Sequence, residues 1–186
     1  MSIFKNQWII IKIKKLEEKN NLYTIFTSDY WKIICNKKLK SSEKTLDLGY
    51  FINFEIDVKP WVNIFNIRNI QILSEFNSLW QKYSIIENFM ILLNIINKKL
   101  PEKLENKLIF STLVEIIKYK NINSVKLILS QLKILNILWF LDLENKNLTI
   151  KKILHFINKN KIENILKLTW INEELENELR NIIEKY

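Results

Sequence analysis

Hydrophobic and polar positions alternate through the first third of the chain and then change period. In "WIIIKIK", Ile9, Ile11 and Ile13 fall on one face and Lys12 and Lys14 on the other, the period-two signature of a half-buried strand. "NLYTIFT" and "YWKIIC" follow, separated by the turn-compatible pair "SD". "YFINFEIDV" sets Tyr50, Ile52, Phe54, Ile56 and Val58 against Phe51, Asn53, Glu55 and Asp57, until Pro60, which has no ladder donor, ends the run. "WVNIFNIRNIQIL" resumes it, with a phase shift between Ile64 and Phe65 that predicts a bulge. The only glycine, Gly49, predicts a turn or bulge leading into the fourth strand. Five short strands, with the longest connection between the third and fourth, fit a small five-stranded barrel.

After Ser74 the period becomes helical. "FNSLWQKYSIIENFMILLNIINKKL" places Leu79, Ile86, Phe89, Met90, Leu93 and Ile96 on one stripe, and Pro101 suits the first turn of the next helix. Asn123 and Thr149 are the expected caps of two further helices, and "INEELENELRNIIEKY" is acidic early and basic late, as the helix dipole prefers. The predicted fold is α+β: an OB-like barrel over residues 1–73 followed by a helical bundle over 74–186.

Composition adds a core and a charge. Of 186 residues 48% are hydrophobic, enough for one domain or two small ones, and the net charge is +9. Positive charge implies a polyanionic partner. The inference is diluted because the chain has no alanine and only two arginines, so lysine is its default surface residue. Position must therefore decide. Residues 1–72 hold twelve basic against seven acidic side chains, so total charge does not single out the barrel either.

One cysteine, Cys35, excludes an intrachain disulfide and a cysteine-rich zinc site. The one histidine, His155, lies on a helical pattern without an evident nucleophile, and no glycine-rich phosphate loop occurs. No cofactor, metal or catalytic residue is expected, and an enzyme is the least favoured class. The N-terminus lacks the form of a signal peptide and "LILSQLKILNILWFL" is too short to span a bilayer comfortably, so a cytoplasmic protein with no membrane partner is expected.

Clustering is more informative. Lys32, Lys37, Lys38, Lys40 and Lys44 lie within thirteen residues beside Tyr30 and Trp31, on the stretch "NKKLKSSEKT" and the strand before it. Ammonium groups that follow phosphates, next to rings that stack on bases, are the recipe for single-strand binding. A solvated lysine-rich loop is the alternative. Trp31 shares parity with Ile33 and Cys35 and is expected in the core, so Tyr30 is the stacking candidate. Arg68 is either a phosphate contact or a cross-strand partner of Glu55 or Asp57. A second basic run, from Lys146 to Lys167, is a solvated helical face or a cradle for an acidic peptide or a second strand of nucleic acid, with Lys151 and Lys152 as the peptide contacts.

The succession "WIIIKIKKL", "NLYTIFTSD", "YWKIICNKKLKSS", "LDLGYFINFEI", "IFNIRNIQILSEFNSLW" and "YSIIENFMILLNIINKKLPE" resembles the RecO family of bacterial recombination mediators over roughly residues 8–141. Asn36 stands where that family tends to carry a glycine, and Lys37 and Lys38 replace arginines, keeping charge without the bidentate fork. The family's cysteine-rich zinc element is missing. The resemblance implies a non-enzymatic role in DNA repair and recombination. Such a protein binds single- and double-stranded DNA, anneals complementary strands, and loads recombinase with a RecR-like protein onto strands coated by single-strand-binding protein. The rival expectation is a helical protein-interaction module whose barrel is a scaffold.

Overall fold

Five strands close into a barrel: β1 (Ser2–Glu17), β2 (Asn20–Thr27), β3 (Ile33–Lys38), β4 (Phe51–Val58) and β5 (Ile64–Ser74). Their order around it is β1-β2-β3-β5-β4, with β3 and β5 parallel and every other pair antiparallel. The arrangement is consistent with an OB-like fold. The computed structural model describes residues 2–17, 20–27, 32–38, 45–58, 63–76, 82–101 and 105–186. Helices follow the barrel: α1 (Tyr83–Lys99), α2 (Lys107–Lys118), α3 (Ser124–Ile137), α4 (Leu148–Lys159), α5 (Ile162–Ile165) and α6 (Glu173–Ile183).

The chain divides into two compact units. The first joins the barrel to α2, and the second holds α1 and α3 to α6. In the first, Trp8, Ile10, Tyr23, Ile25, Cys35, Ile52, Phe54 and Ile56 fill the barrel interior, with Trp8 stacked on Phe54 at 4.6 Å between ring centroids. β1 is long enough to pair with β4 along its first half and with β2 along its second. The switch is eased by a register shift between Ile10 and Lys12, which turns Ile13 back toward the core. Gly49 adopts φ 75, as the third residue of a type II turn requires, and Tyr50 N donates to Asp47 O across that turn.

Three expectations for the strands are corrected. Ile9 does not share the face of Ile13. It lies opposite both Phe26 and Phe51, and those two rings meet Phe110 of α2 edge-on at 5.8 and 6.2 Å. Both sides of β1 are therefore buried here, one by the barrel and one by a helix, which is why consecutive isoleucines occur. The irregularities in β5 are not at Ile64/Phe65 but at Asn69, φ 50, where three residues of β5 step against two of β4, and at the strand's end, where Ser74 and Ile72 face the successive Phe51 and Ile52. Phe65 and Ile67 precede Asn69 and Ile70 and Ile72 follow it, all packed on the core. Lys37 and Lys38, expected in a loop, belong to β3.

In the second unit α3 is central and is buried on every side from Lys126 to Leu135. Asn123 caps it as expected, its side chain accepting from Lys126 N at 2.9 Å. α4 is capped by Asn147, not Thr149: Asn147 Oδ1 accepts from Thr149 N at 2.9 Å and from Ile150 N at 3.4 Å. α2 starts at Lys107 rather than at Pro101, because Asn106 Oδ1 accepts from Ile109 N. On α1 the buried stripe includes Ile85, Phe89, Leu92, Leu93 and Ile96 and excludes Met90, which is exposed; Leu79 lies outside the described residues.

Candidate nucleic-acid interface

Strand register assembles a face on the outside of the barrel. Ile33 and Cys35 are in the core, so Ile34 and Asn36 lie on the outer parity of β3. Ile34 is paired with Thr24 and Ile64, and Thr24 with Lys12. Asn36 is paired with Leu22 and Asn66, and Leu22 with Lys14. Two rows thus run across β1, β2, β3 and β5: Lys12, Thr24, Ile34, Ile64 and Lys14, Leu22, Asn36, Asn66. Arg68 continues the outer parity of β5 beyond Asn66. Three inter-strand steps separate the β1 lysines from β5, about 14 Å of sheet at ~4.8 Å per step.

Lys12, Lys14, Asn66 and Arg68 are exposed, and the intervening Ile34 and Ile64 are 42% and 45% exposed. Cationic rims on either side of an amide and aliphatic floor can take phosphates at the edges and sugars or bases in the middle. The nearest described carboxylate on β4 is Glu55, in register with Arg68. Its Oε2 accepts from the Asn69 amide at 2.7 Å, and the β5 bulge is what turns Asn69 toward it.

The residues expected from sequence are divided by the structure. Arg68 is exposed on the outer parity of β5 and is directly opposite Glu55, the cross-strand neighbour named as its alternative partner. Lys38 is opposite Asn20 in the ladder, at the end of β3. Lys37 is opposite Asn21 and has the inward parity of Cys35, so it is half-buried at the barrel's end, and Lys32 is half-buried just before β3. Tyr30, Lys40 and Lys44 lie outside the described residues. Lys12 and Lys14 are the candidates that residue clustering missed. Their signal was the polar half of the alternation in "IKIKK", legible as a strand face but not as a neighbour of β2 and β3.

Two buried groups beneath the face are chemically quiet. Burial pushes the Tyr23 hydroxyl upward; the hydrogen bond from Asn21 Nδ2, 3.1 Å, opposes this, and nearby Asp47 adds to it. Burial also raises the Cys35 thiol well above its ordinary value, which removes it as a nucleophile.

In the other unit Lys151 and Lys152 line a groove of about 490 Å³ along α4, with Leu148, His155, Phe156 and Lys159. Lys151 is tied to Glu144 Oε2 at 2.6 Å, and Lys152 is exposed. Among the described residues no cluster of histidine, cysteine and carboxylate side chains could hold a metal, and no helix is long and apolar enough to cross a membrane. Comparison with protein-family models and with curated proteins yields no match.

Proposed function

We propose that this chain binds nucleic acid on the β1-β2-β3-β5 face of its barrel and acts, without catalysing a reaction, as a RecO-like mediator of DNA repair and recombination. The observation that carries the proposal is the register itself. It sets Lys12 and Lys14 on β1 at one edge of rows that end in Ile64 and Asn66 on β5, with Arg68 two residues past Asn66 on that same strand, on a fold whose β2-β3 face is a common oligonucleotide platform. Phosphate contacts at two rims favour single- and double-stranded DNA alike, which a strand-annealing role with a RecR-like partner and single-strand-binding protein would use.

The test is fluorescence anisotropy of labelled single- and double-stranded oligonucleotides across a salt series, comparing the native chain with Lys12→Glu/Lys14→Glu/Arg68→Glu. Removing one phosphate-neutralising side chain should flatten the log–log salt slope by ~0.7 on a single strand and ~0.9 on a duplex. Equal slopes and affinities for the two proteins would remove the barrel face from consideration.

A second reading, the helical protein-interaction module, is favoured by the α4 groove, where Lys152 and Lys159 flank the apolar Leu148 and Phe156. That pattern suits an acidic peptide with an apolar anchor, such as the tail of a single-strand-binding protein. Lys151→Glu/Lys152→Glu should weaken such a complex at least tenfold in titration calorimetry while leaving DNA affinity nearly unchanged. The two readings are separated by which set of substitutions, the triple on the barrel or the double on α4, is felt by which ligand.

A further inference from the structure

Trp139 ends α3 in a left-handed conformation with its side chain largely exposed. Phe140 N donates to Leu135 O at 2.9 Å and Trp139 N to Asn136 O at 3.0 Å, the paired bonds of a Schellman motif with Trp139 at its left-handed position. That position is ordinarily glycine, because a side chain there meets the following carbonyl; Trp139 occupies it at φ 63. The residue is 94% exposed, so it gives up both backbone comfort and burial. Phe140, 41% exposed, stands next to it with Lys99 Nζ 5.1 Å from its ring centroid. Lys98 and Lys99 close α1. Lys159 closes α4, whose Asn158 is held to Asn136 of α3 at 3.2 Å. The nearest acid along the chain is Asp142, whose backbone N–H donates to the Tyr186 hydroxyl.

We infer that Trp139 is a stacking platform for an unpaired base of single-stranded nucleic acid, with Phe140 beside it and the lysines that end α1 and α4 as phosphate contacts. The inference rests on the nucleic-acid reading above and adds to it a site on the helical unit. An aromatic face beside ammonium groups suits a single strand, since every base presents a π-face and the strand supplies the negative charge. A duplex hides its bases and would not use the ring.

The test measures binding of labelled oligothymidylate and of an abasic strand of equal length by the native chain, Trp139→Ala and Trp139→Phe. Native protein should favour the base-bearing strand by about tenfold, in the range expected for one stacked base. Trp139→Ala should lose that preference and leave abasic binding unchanged, and Trp139→Phe should keep most of it. Native protein that binds both strands equally overturns the stacking site but leaves the phosphate-binding face standing. Native protein that binds neither strand overturns both. If Trp139→Ala binds oligothymidylate as the native chain does and instead converts an oligomer to a monomer in sedimentation, the ring serves a second copy and the inference fails.

Discussion

Arg180 of α6 reaches Ser124 at the first turn of α3, Nη2 to Oγ at 2.6 Å. The same nitrogen meets Glu176 Oε1 at 2.6 Å, and Nη1 donates to Asn88 Oδ1 of α1 at 3.2 Å. Gln131 of α3 completes the set by donating to Asn88 O at 2.7 Å. Three helices are thereby registered by one guanidinium whose partners are largely shielded from water. Arg180→Met keeps much of the stem but leaves Glu176 and Asn88 short of a donor. The expected cost is about 2 kcal/mol, below that of a fully buried pair because both charged side chains retain some exposure. Urea unfolding of the two proteins measures it, and a change under about 0.5 kcal/mol would show that water replaces the guanidinium without loss.

The cap of α4 makes a sharper comparison. Asn147 accepts from the first turn with Oδ1, and its Nδ2 donates to both oxygens of Glu178 at 3.0 Å. Asn147→Ala should cost about 1–2 kcal/mol and Thr149→Val close to nothing. The reverse order in thermal unfolding would restore Thr149 as the cap that its position before "IKKIL" predicts.

These helical details mark the limit of what is legible in the residues. Alternation identified all five strands and the inward faces of β4, because a half-buried strand writes its geometry with period two. It failed at Ile9, where α2 covers the outside of the barrel, since "WIII" carries no alternation at all. It misplaced the β5 bulge because Ile64 is apolar yet exposed. Lys12 and Lys14 were visible as a polar face, but their place beside Leu22, Asn36 and Asn66 depends on three separate registers that no local pattern encodes. Trp139 was hidden for the opposite reason: an aromatic in an apolar run reads as core.

The buried thiol predicts a pH dependence. Cys35 has an ordinary value of 9.0 when unfolded, and burial raises it in the folded chain. From about pH 9 upward the unfolded state therefore releases a proton that the folded state keeps. The contribution of Cys35 to stability is fully present below pH 9 and falls above it by up to about 1.4 kcal/mol per pH unit. Lys133 acts oppositely as far as 10.5, because burial lowers it in the folded state and the unfolded state then holds the extra proton. The difference between native protein and Cys35→Val isolates the thiol: it should be flat from pH 7 to 8.5 and decline from pH 9 to 10.5. A difference that stays flat throughout would mean that the thiolate is accommodated inside the barrel.

Trp139→Gly separates the cost of the backbone from the use of the ring. Glycine takes the left-handed position without the side-chain clash, and the exposed indole contributes little burial to be lost. Against this, glycine gains more conformational freedom in the unfolded chain. The αL cost, about 1–2 kcal/mol, exceeds the ~0.4–1 kcal/mol entropic term, so a net gain near 0.5–1 kcal/mol is expected. For a chain of 186 residues that is a rise in Tm of roughly 1–4 °C. The same variant should lose the preference for base-bearing strands, so stability and binding move in opposite directions at a single position. A Tm that falls instead would show that the indole is held against the bundle and stabilises it, which is incompatible with a ring kept exposed for a ligand.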